Sequence, residues 1–141
     1  MIRGTHPHDA PLIEELLTEA SLPLEGVREH LATFLVAELD GNIIGVMGLE
    51  LYGGTALLRS AAVRPSEQGK GVGTELYKRI LTLAKDCGVR RMILLTDTAE
   101  MYFARKGFRV IDRSAITGPI TQSAEFRGAC PGLAVAMELE L

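Results

Sequence analysis

The stretch "RPSEQGKGVGTEL", Arg64 to Leu76, links a run of small apolar residues to an amphipathic helical pattern, with glycines at positions 69, 71 and 73. A P-loop requires GxxxxGK followed by Ser or Thr, and a dinucleotide fingerprint requires GxGxxG directly after a strand. This GxGxG, set back from its strand, meets neither pattern. Gln68, Gly69, Lys70, Gly71, Val72, Gly73 and Thr74 still run straight into a helix start. There, glycines let successive backbone N–H groups converge, and the helix end adds unpaired donors and about half a positive charge. Two readings stand: a structural turn, or a cradle for a pyrophosphate, to which Lys70 either adds an ion pair or turns to water.

Working outward, Val72, Leu76, Ile80, Leu83, Ala84 and Cys87 form one apolar stripe, which predicts a helix over 72–87 closed by Gly88. "RRMILLT" is a short apolar run of the kind expected for a strand buried on both faces. Asp97 with Glu100 starts a short helix that stops at Gly107, and "FRVID" and "LAVAMELEL" read as final strands around a polar segment of unassigned structure. Upstream, "TFLVAELDGNIIGVMGLELYGGTALLRSAAV" reads as three strands divided by Asp40-Gly41-Asn42 and Gly53-Gly54, residues that tolerate the positive φ of tight hairpins. Asp9 caps a helix in which Leu12, Ile13, Leu16, Leu17 and Ala20 recur at helical spacing; "SLPL" breaks it, and a weaker helical piece covers 25–31. With "IRGTH" as a first short strand, the order is β-α-α-β-β-β-α-β-α-β-β. Hairpins followed by crossovers make an α+β (α/β) mixed sheet with helices on both faces.

A chain of 141 residues supports one domain, 1–141. Its 47% hydrophobic and 23% charged content is ordinary globular usage, and a net charge of −3 with no basic stripe argues against nucleic acid as a partner. No apolar run reaches the roughly 18 residues of a membrane span, and the N-terminus lacks the apolar core of a signal peptide. Cys87 and Cys130 have neither CxxC nor Cys/His spacing, and His6, His8 and His30 are scattered, so no metal site is expected. The two cysteines suit a reducing, cytoplasmic compartment.

"VRPSEQGKGVGTELYKRIL" resembles the acetyl-CoA-binding motif of the GNAT (GCN5-related) N-acetyltransferases, Gln/Arg-x-x-Gly-x-Gly/Ala, satisfied here by Gln68, Gly71 and Gly73. "MYFARKGFRV" is similar to a later segment of that family, in which a short helix ends at a Gly-Phe pair. The resemblance covers nearly the whole chain and implies the GNAT fold, a mostly antiparallel mixed sheet of about six to seven strands flanked by about four helices. It further implies that the backbone of Ala61, Ala62 and Val63 holds the pantetheine arm, that residues 68–74 hold the pyrophosphate, and that Thr98 and Phe103 flank the cofactor where two central strands splay. A backbone N–H near Ala61 would polarise the thioester carbonyl.

Transfer to an amine that arrives protonated requires a base. The glutamate that serves in several family members corresponds to Leu57 here, so that role is vacant. A two-residue turn at Gly53-Gly54 pairs Tyr52 with Thr55, and so sets Glu50 opposite Leu57 and Gly48 opposite Arg59. Glu50 then shares a face with Arg59, as a candidate base or as an exposed strand carboxylate. Arg59, inside "TALLRSAAV", either grips a substrate carboxylate with two parallel hydrogen bonds or forms an internal ion pair, Glu50 being the obvious partner. The first reading makes the acceptor a small carboxylate-bearing amine such as an amino acid, with Ser60 and Glu125 beside it, and "LLRSAAV" resembles the N-acetylglutamate-synthase-like branch. The tyrosine that protonates the leaving thiolate in many members corresponds to Phe103. Tyr102, about 100° round the helix, is the remaining candidate acid or a packing residue. "SAEFRGACPG" looks like the tail of GNAT proteins encoded in arsenic-resistance operons, through Ser123, Glu125, Phe126 and Cys130. Cys87 is expected to pack, and Cys130 to be buried or a reactive thiol. Two functions follow: direct ternary-complex acetyl transfer from acetyl-CoA to a small-molecule amine, or CoA binding without catalysis in a regulatory protein. A homodimer is left open.

Overall fold

Local pattern and observed structure agree along most of the chain in this computed structural model, described for residues 1–129 and 134–141. β1 (Ile2–Gly4) precedes α1 (Ala10–Glu19), and a 3₁₀ turn at Arg28–Thr33 leads into β2 (Phe34–Leu39), β3 (Asn42–Tyr52) and β4 (Thr55–Val63). Then follow α2 (Val72–Asp86), β5 (Arg91–Thr96), α3 (Glu100–Arg105), β6 (Arg109–Ile111) and β7 (Val135–Glu140). One seven-stranded sheet runs β1-β2-β3-β4-β5-β7-β6. Every pairing is antiparallel except β4–β5, whose two strands are joined by a crossover through α2.

Because side chains alternate across a strand, a sheet covered on both faces needs apolar residues at consecutive positions. β5 shows this directly. Met92 and Leu94 join the cluster built around Leu76 and Ile80 of α2, whereas Ile93 packs on the opposite face with Leu57, Ile116 and Ile120. At the other end of the sheet, Ile13, Leu16 and Leu17 of α1 cover Phe34, Val36 and Val46. Each fully buried leucine or isoleucine contributes about 1.5–3 kcal/mol.

Two backbone irregularities position the site. The parallel β4–β5 register runs only from Thr55↔Arg91 to Leu57↔Ile93, while β5 stays paired with β7 as far as Thr96↔Val135, so β4 and β5 separate beyond Leu57. On the other side of β4, Ala62 faces Val46 but Arg59 faces Gly48, which leaves Ser60 and Ala61 as a bulge against Met47. Ser60 sits at φ 59°, a left-handed conformation uncommon for a residue with a side chain. It is also buried.

Several local expectations are corrected. Asp9 does not cap α1 with its side chain; its carboxylate accepts from Arg3 (2.8 Å) and the His6 N–H (2.7 Å), bracing a 3₁₀ turn that precedes the helix. The piece expected at 25–31 is instead the 3₁₀ turn at Arg28–Thr33. α3 starts at Glu100; the turn before it is held by Thr96 Oγ1, which accepts the Ala99 N–H at 2.9 Å, and not by Asp97. Leu12, Ala20 and Cys87 are exposed although all three belong to the predicted apolar stripes; Ala20 and Cys87 are the C-cap residues that follow α1 and α2, beyond the packed turns. Cys130 lies outside the described residues.

Candidate active site

Where β4 parts from β5, two cavities open. The larger, of 560 Å³, is walled by Ala61, Ala62 and Val63 of β4, by Gln68, Gly69, Gly71, Val72, Gly73 and Thr74 of the glycine loop, and by Thr98, Tyr102 and Phe103. Gly69 and Gly71 have φ of 78° and 85°, so the loop takes two left-handed turns that a side chain would resist. The first helical hydrogen bond of α2 runs from Glu75 N to Gly71 O (3.0 Å), which leaves the N–H groups of Val72, Gly73 and Thr74 ahead of the ladder and beside the cavity. Gln68 braces the loop, donating from Nε2 to the Val63 carbonyl at 3.0 Å. Lys70 is not among the lining residues; its ammonium pairs with Glu67 at 3.4 Å in solvent.

The smaller cavity, of 110 Å³, lies on the other side of the splay and includes Arg59, Ser60, Leu95, Asp97 and Glu125 in its wall. Both cavities share Ala61, Thr98, Ala99 and Phe103. They meet at the β4 bulge, beside a Phe103 ring held edge-on by Tyr102 and Phe108.

Beneath the smaller cavity is a buried polar network. Arg59 donates from Nη1 to Glu50 Oε2 (2.6 Å) and to the Glu25 carbonyl (2.7 Å), from Nη2 to the Pro23 carbonyl (3.2 Å), and from Nε to Ser60 Oγ (3.0 Å). Glu125 Oε2 lies 3.3 Å from the same Nε. Glu50 also accepts from Tyr52 Oη at 2.5 Å, and His30 Nε2 is 3.7 Å from its second oxygen. Burial pushes the Glu50 carboxyl up, but hydrogen bonds from Tyr52, Arg59 and Ser123 and the nearby His30 outweigh it, holding Glu50 below the ordinary carboxylate range. Burial and the Glu50 carboxylate in turn push the Tyr52 phenol up to about 12. Gly26 lets the loop from Pro23 approach this pair: a Cβ there would come within 2.8 Å of Arg59 Nη1, at a φ of 87°.

The structure thus brings Arg59, Ser60 and Glu125 together on one cavity, and Ala61 to Val63, the glycine loop, Thr98, Tyr102 and Phe103 on the other. Glu50 lines neither. It lies behind Arg59 as its ion-pair partner, the second of the two arrangements open from sequence. Tyr102 faces the larger cavity near Thr74, and burial raises its phenol above the ordinary value. Ser123 was singled out only by the likeness of its segment; sequence reasoning missed Tyr52, His30, Gly26 and the carbonyls of Pro23 and Glu25 as parts of this network. Only Tyr52 carried a signal, since it lies two residues from Glu50 on the same strand face.

Known proteins similar to this chain fall in one family. The acetyltransferase (GNAT) family pattern matches residues 5–108. The amino-acid acetyltransferase of Mycobacterium tuberculosis is 30% identical over 132 residues, covering 85% of this chain and 74% of the relative. That of Neisseria meningitidis serogroup A is 29% identical over 135 residues, 89% of this chain, which spans 30% of that longer relative. Among solved structures, N-acetylglutamate synthase from Neisseria gonorrhoeae, complexed with coenzyme A and N-acetyl-glutamate, superposes with a TM-score of 0.85 at 26% identity, over 100% of this chain and 35% of that one. Rv2747 of Mycobacterium tuberculosis, in complex with CoA, gives 0.82 at 27% identity over 100% and 99% of the two chains. A family pattern that spans residues 5–108 decides the kinship: the chain belongs to the GNAT acetyltransferase family.

Proposed function

We propose that the chain is an acetyl-CoA-dependent N-acetyltransferase acting on the amine of a small carboxylate-bearing acceptor of the amino-acid class. The observation that carries this reading is the meeting of the two cavities at Ala61, Thr98, Ala99 and Phe103, which gives a donor and an acceptor adjoining sites on one bulged strand. Acetyl-CoA fits the larger one. The converging N–H groups of Val72, Gly73 and Thr74 at a helix N-terminus suit a pyrophosphate, and the edge of β4 that parts from β5 beyond Leu57 offers its backbone to the pantetheine amides as a neighbouring strand would. Bound there, acetyl-CoA supplies an acetyl group activated as a thioester.

The chain's own residues do the rest. We assign the backbone N–H groups at the bulge of Ser60 and Ala61, two residues with no facing residue in the β3–β4 register, to the developing negative charge on the carbonyl oxygen. Phe103 excludes water from the junction. Tyr102 is assigned to the donor wall, and as an acid only if the thiolate comes within its reach. Glu50 holds Arg59, and Arg59 in turn fixes the 23–25 loop and Glu125 at the acceptor wall; both are positioning residues. The kinship with amino-acid acetyltransferases supports the acceptor class, and a link to arsenic resistance rests on the sequence likeness at Ser123, Glu125, Phe126 and Cys130 alone.

The test is thiol release from acetyl-CoA across a panel of amino acids and simple amines, with calorimetry of acetyl-CoA binding alongside. Saturable release with at least one acceptor is expected. Tight acetyl-CoA binding with no release from any amine would instead favour a CoA-binding regulatory protein, since Leu57 and Phe103 fill positions where acid-base groups stand elsewhere in the family. Absence of binding at millimolar acetyl-CoA defeats both readings.

A further inference from the structure

Among the described residues that wall the larger cavity, Glu67 alone is charged, and Lys70 of the glycine loop is drawn off to that carboxylate in solvent. The start of α2 offers about half a positive charge. A pyrophosphate bound there would gain from a side-chain cation that the loop itself does not provide.

Two residues of the α3 segment stand at this end of the cavity. Tyr102 lines the larger cavity and not the smaller, whereas Phe103 lines both. The Tyr102 hydroxyl is beside the start of α2: a Cβ on Gly73 would lie 3.6 Å from its Oη. Burial pushes the phenol up, and a hydrogen bond from the Thr74 hydroxyl opposes this. The phenol is thus protonated at neutral pH, and among the described residues its own hydrogen has no acceptor. Lys106, one helical turn on from Tyr102, lays its ammonium over the Tyr102 ring at 5.3 Å and over the Tyr77 ring at 5.5 Å. Tyr77 is buried and follows Gly73 by one turn of α2, so the two rings form a seat whose negative faces hold the cation. No carboxylate among the described residues pairs with it. Lys106 is therefore a half-buried cation with aromatic faces for partners, one ring removed from the cavity wall.

Resting on the acetyl-CoA reading above, we propose that Tyr102 is a ligand of the pyrophosphate and not the acid of the transfer, and that Lys106 holds its ring in place and supplies the cation that the glycine loop does not. The phenol hydrogen, left free by Thr74, goes to a phosphate oxygen beside the N–H groups of Val72, Gly73 and Thr74. The thioester lies at the other end, where the two cavities meet, and the ring there is that of Phe103. Lys106 is a positioning residue: its attraction to the ring face fixes Tyr102, and its charge adds to that of the helix end.

Acetyl-pantetheine carries the thioester without the pyrophosphate, so it separates the two roles of Tyr102. Calorimetry measures acetyl-CoA and acetyl-pantetheine on the wild-type chain, Tyr102→Phe, Lys106→Met and Lys106→Arg, at low and at high salt. Tyr102→Phe and Lys106→Met should each bind acetyl-CoA about tenfold more weakly, with no loss for acetyl-pantetheine, and Lys106→Arg should stay close to wild type. The Lys106→Met deficit should shrink at high salt, which a merely structural role of the side chain would not produce. In thiol-release kinetics the Tyr102→Phe loss should fall on the KM for acetyl-CoA rather than on kcat. Wild-type affinity for acetyl-CoA in Tyr102→Phe and Lys106→Met overturns the proposal and leaves the acetyl-CoA reading intact. An equal loss for acetyl-pantetheine, or a kcat loss in Tyr102→Phe with unchanged acetyl-CoA affinity, overturns it as well, the second result making Tyr102 the acid. Should acetyl-pantetheine bind too weakly to measure on the wild type, the salt dependence decides, and should Lys106→Met fail to fold, Tyr102→Phe decides. Absence of acetyl-CoA binding to the wild-type chain defeats the acetyl-CoA reading and this proposal with it.

Discussion

Arg59 Nη1 lies 2.6 Å from Glu50 Oε2, and the two side chains are 0% and 1% exposed. They sit diagonally across β3 and β4, since Gly48 is the residue opposite Arg59 and Leu57 the one opposite Glu50. The pair is closed on its outer side by Tyr52 and His30, and on its inner side by Ser60 and Glu125. A buried ion pair of this kind adds little over an apolar pair of the same volume, yet breaking it is costly, because the remaining charge is left without a partner.

Arg59→Ala accordingly removes the guanidinium that faces the buried Glu50 carboxylate. The expected loss is about 3–5 kcal/mol of folding stability. Arg59→Lys recovers only part of this, since an ammonium cannot reach Glu50, Ser60 and two loop carbonyls at once. Urea denaturation checks both, and a loss below about 1 kcal/mol for Arg59→Ala, the range of an exposed pair, would contradict the assignment.

Gly73→Ala separates fold from function. A Cβ at Gly73 meets Tyr102 Oη at 3.6 Å and Val63 Cγ2 at 3.7 Å, ordinary contact distances, so the helix should be as stable or gain about 0.5–1 kcal/mol. The added methyl nevertheless occupies the wall where a pyrophosphate needs the backbone. Calorimetry should give acetyl-CoA binding weaker by about tenfold with an unlowered Tm; an unchanged affinity would count against the cradle.

Gly48→Ala has the opposite character. Phe34 lies opposite Gly48 and its ring covers the glycine, with three ring carbons 2.3–2.5 Å from where a Cβ would stand. Overpacking here should cost about 1–3 kcal/mol. Phe34→Leu in the same chain should return part of the loss, so a double-mutant cycle in urea measures the clash.

Asp9 predicts a pH dependence. The hydrogen bond from Arg3 holds its carboxyl down, from 3.8 to about 2, against the opposing effect of burial and with further help from the His6 N–H. A folded pKa below the unfolded one means that the stabilisation is complete above pH 3.8 and disappears as the pH falls through about 2. Asp9→Asn should be less stable than wild type by about 2 kcal/mol at neutral pH, with the gap closing on acidification. A gap of the same size at pH 7 and about pH 2 would rule out this linkage.

Much of the site was legible before the fold. The Gly53-Gly54 turn fixes the β3–β4 register by local geometry, so the facing of Tyr52 with Thr55 and of Gly48 with Arg59 followed from sequence and is what the strands adopt. The glycine loop was legible for the same reason: its conformational demands are carried by its own residues. The cap assigned to Asp9 failed because Arg3, on a different element, competes for the carboxylate. The role offered to Glu50 depended on which partners would surround it, and four of these, His30, Ser123, Pro23 and Glu25, act on it or on Arg59 from loops distant in sequence.

By itself, then, the sequence determined the order of elements, the hairpin register and the glycine loop at 68–74, all properties of neighbouring residues and short-range periodicity. Tertiary structure alone decided that β4 and β5 separate beyond Leu57, that Ser60 takes a left-handed bulge without a glycine, and that Arg59 is already satisfied. These depend on contacts between segments far apart in the chain. No periodicity records such contacts, and the cost of burying a charge makes its meaning hinge on which distant group arrives to meet it.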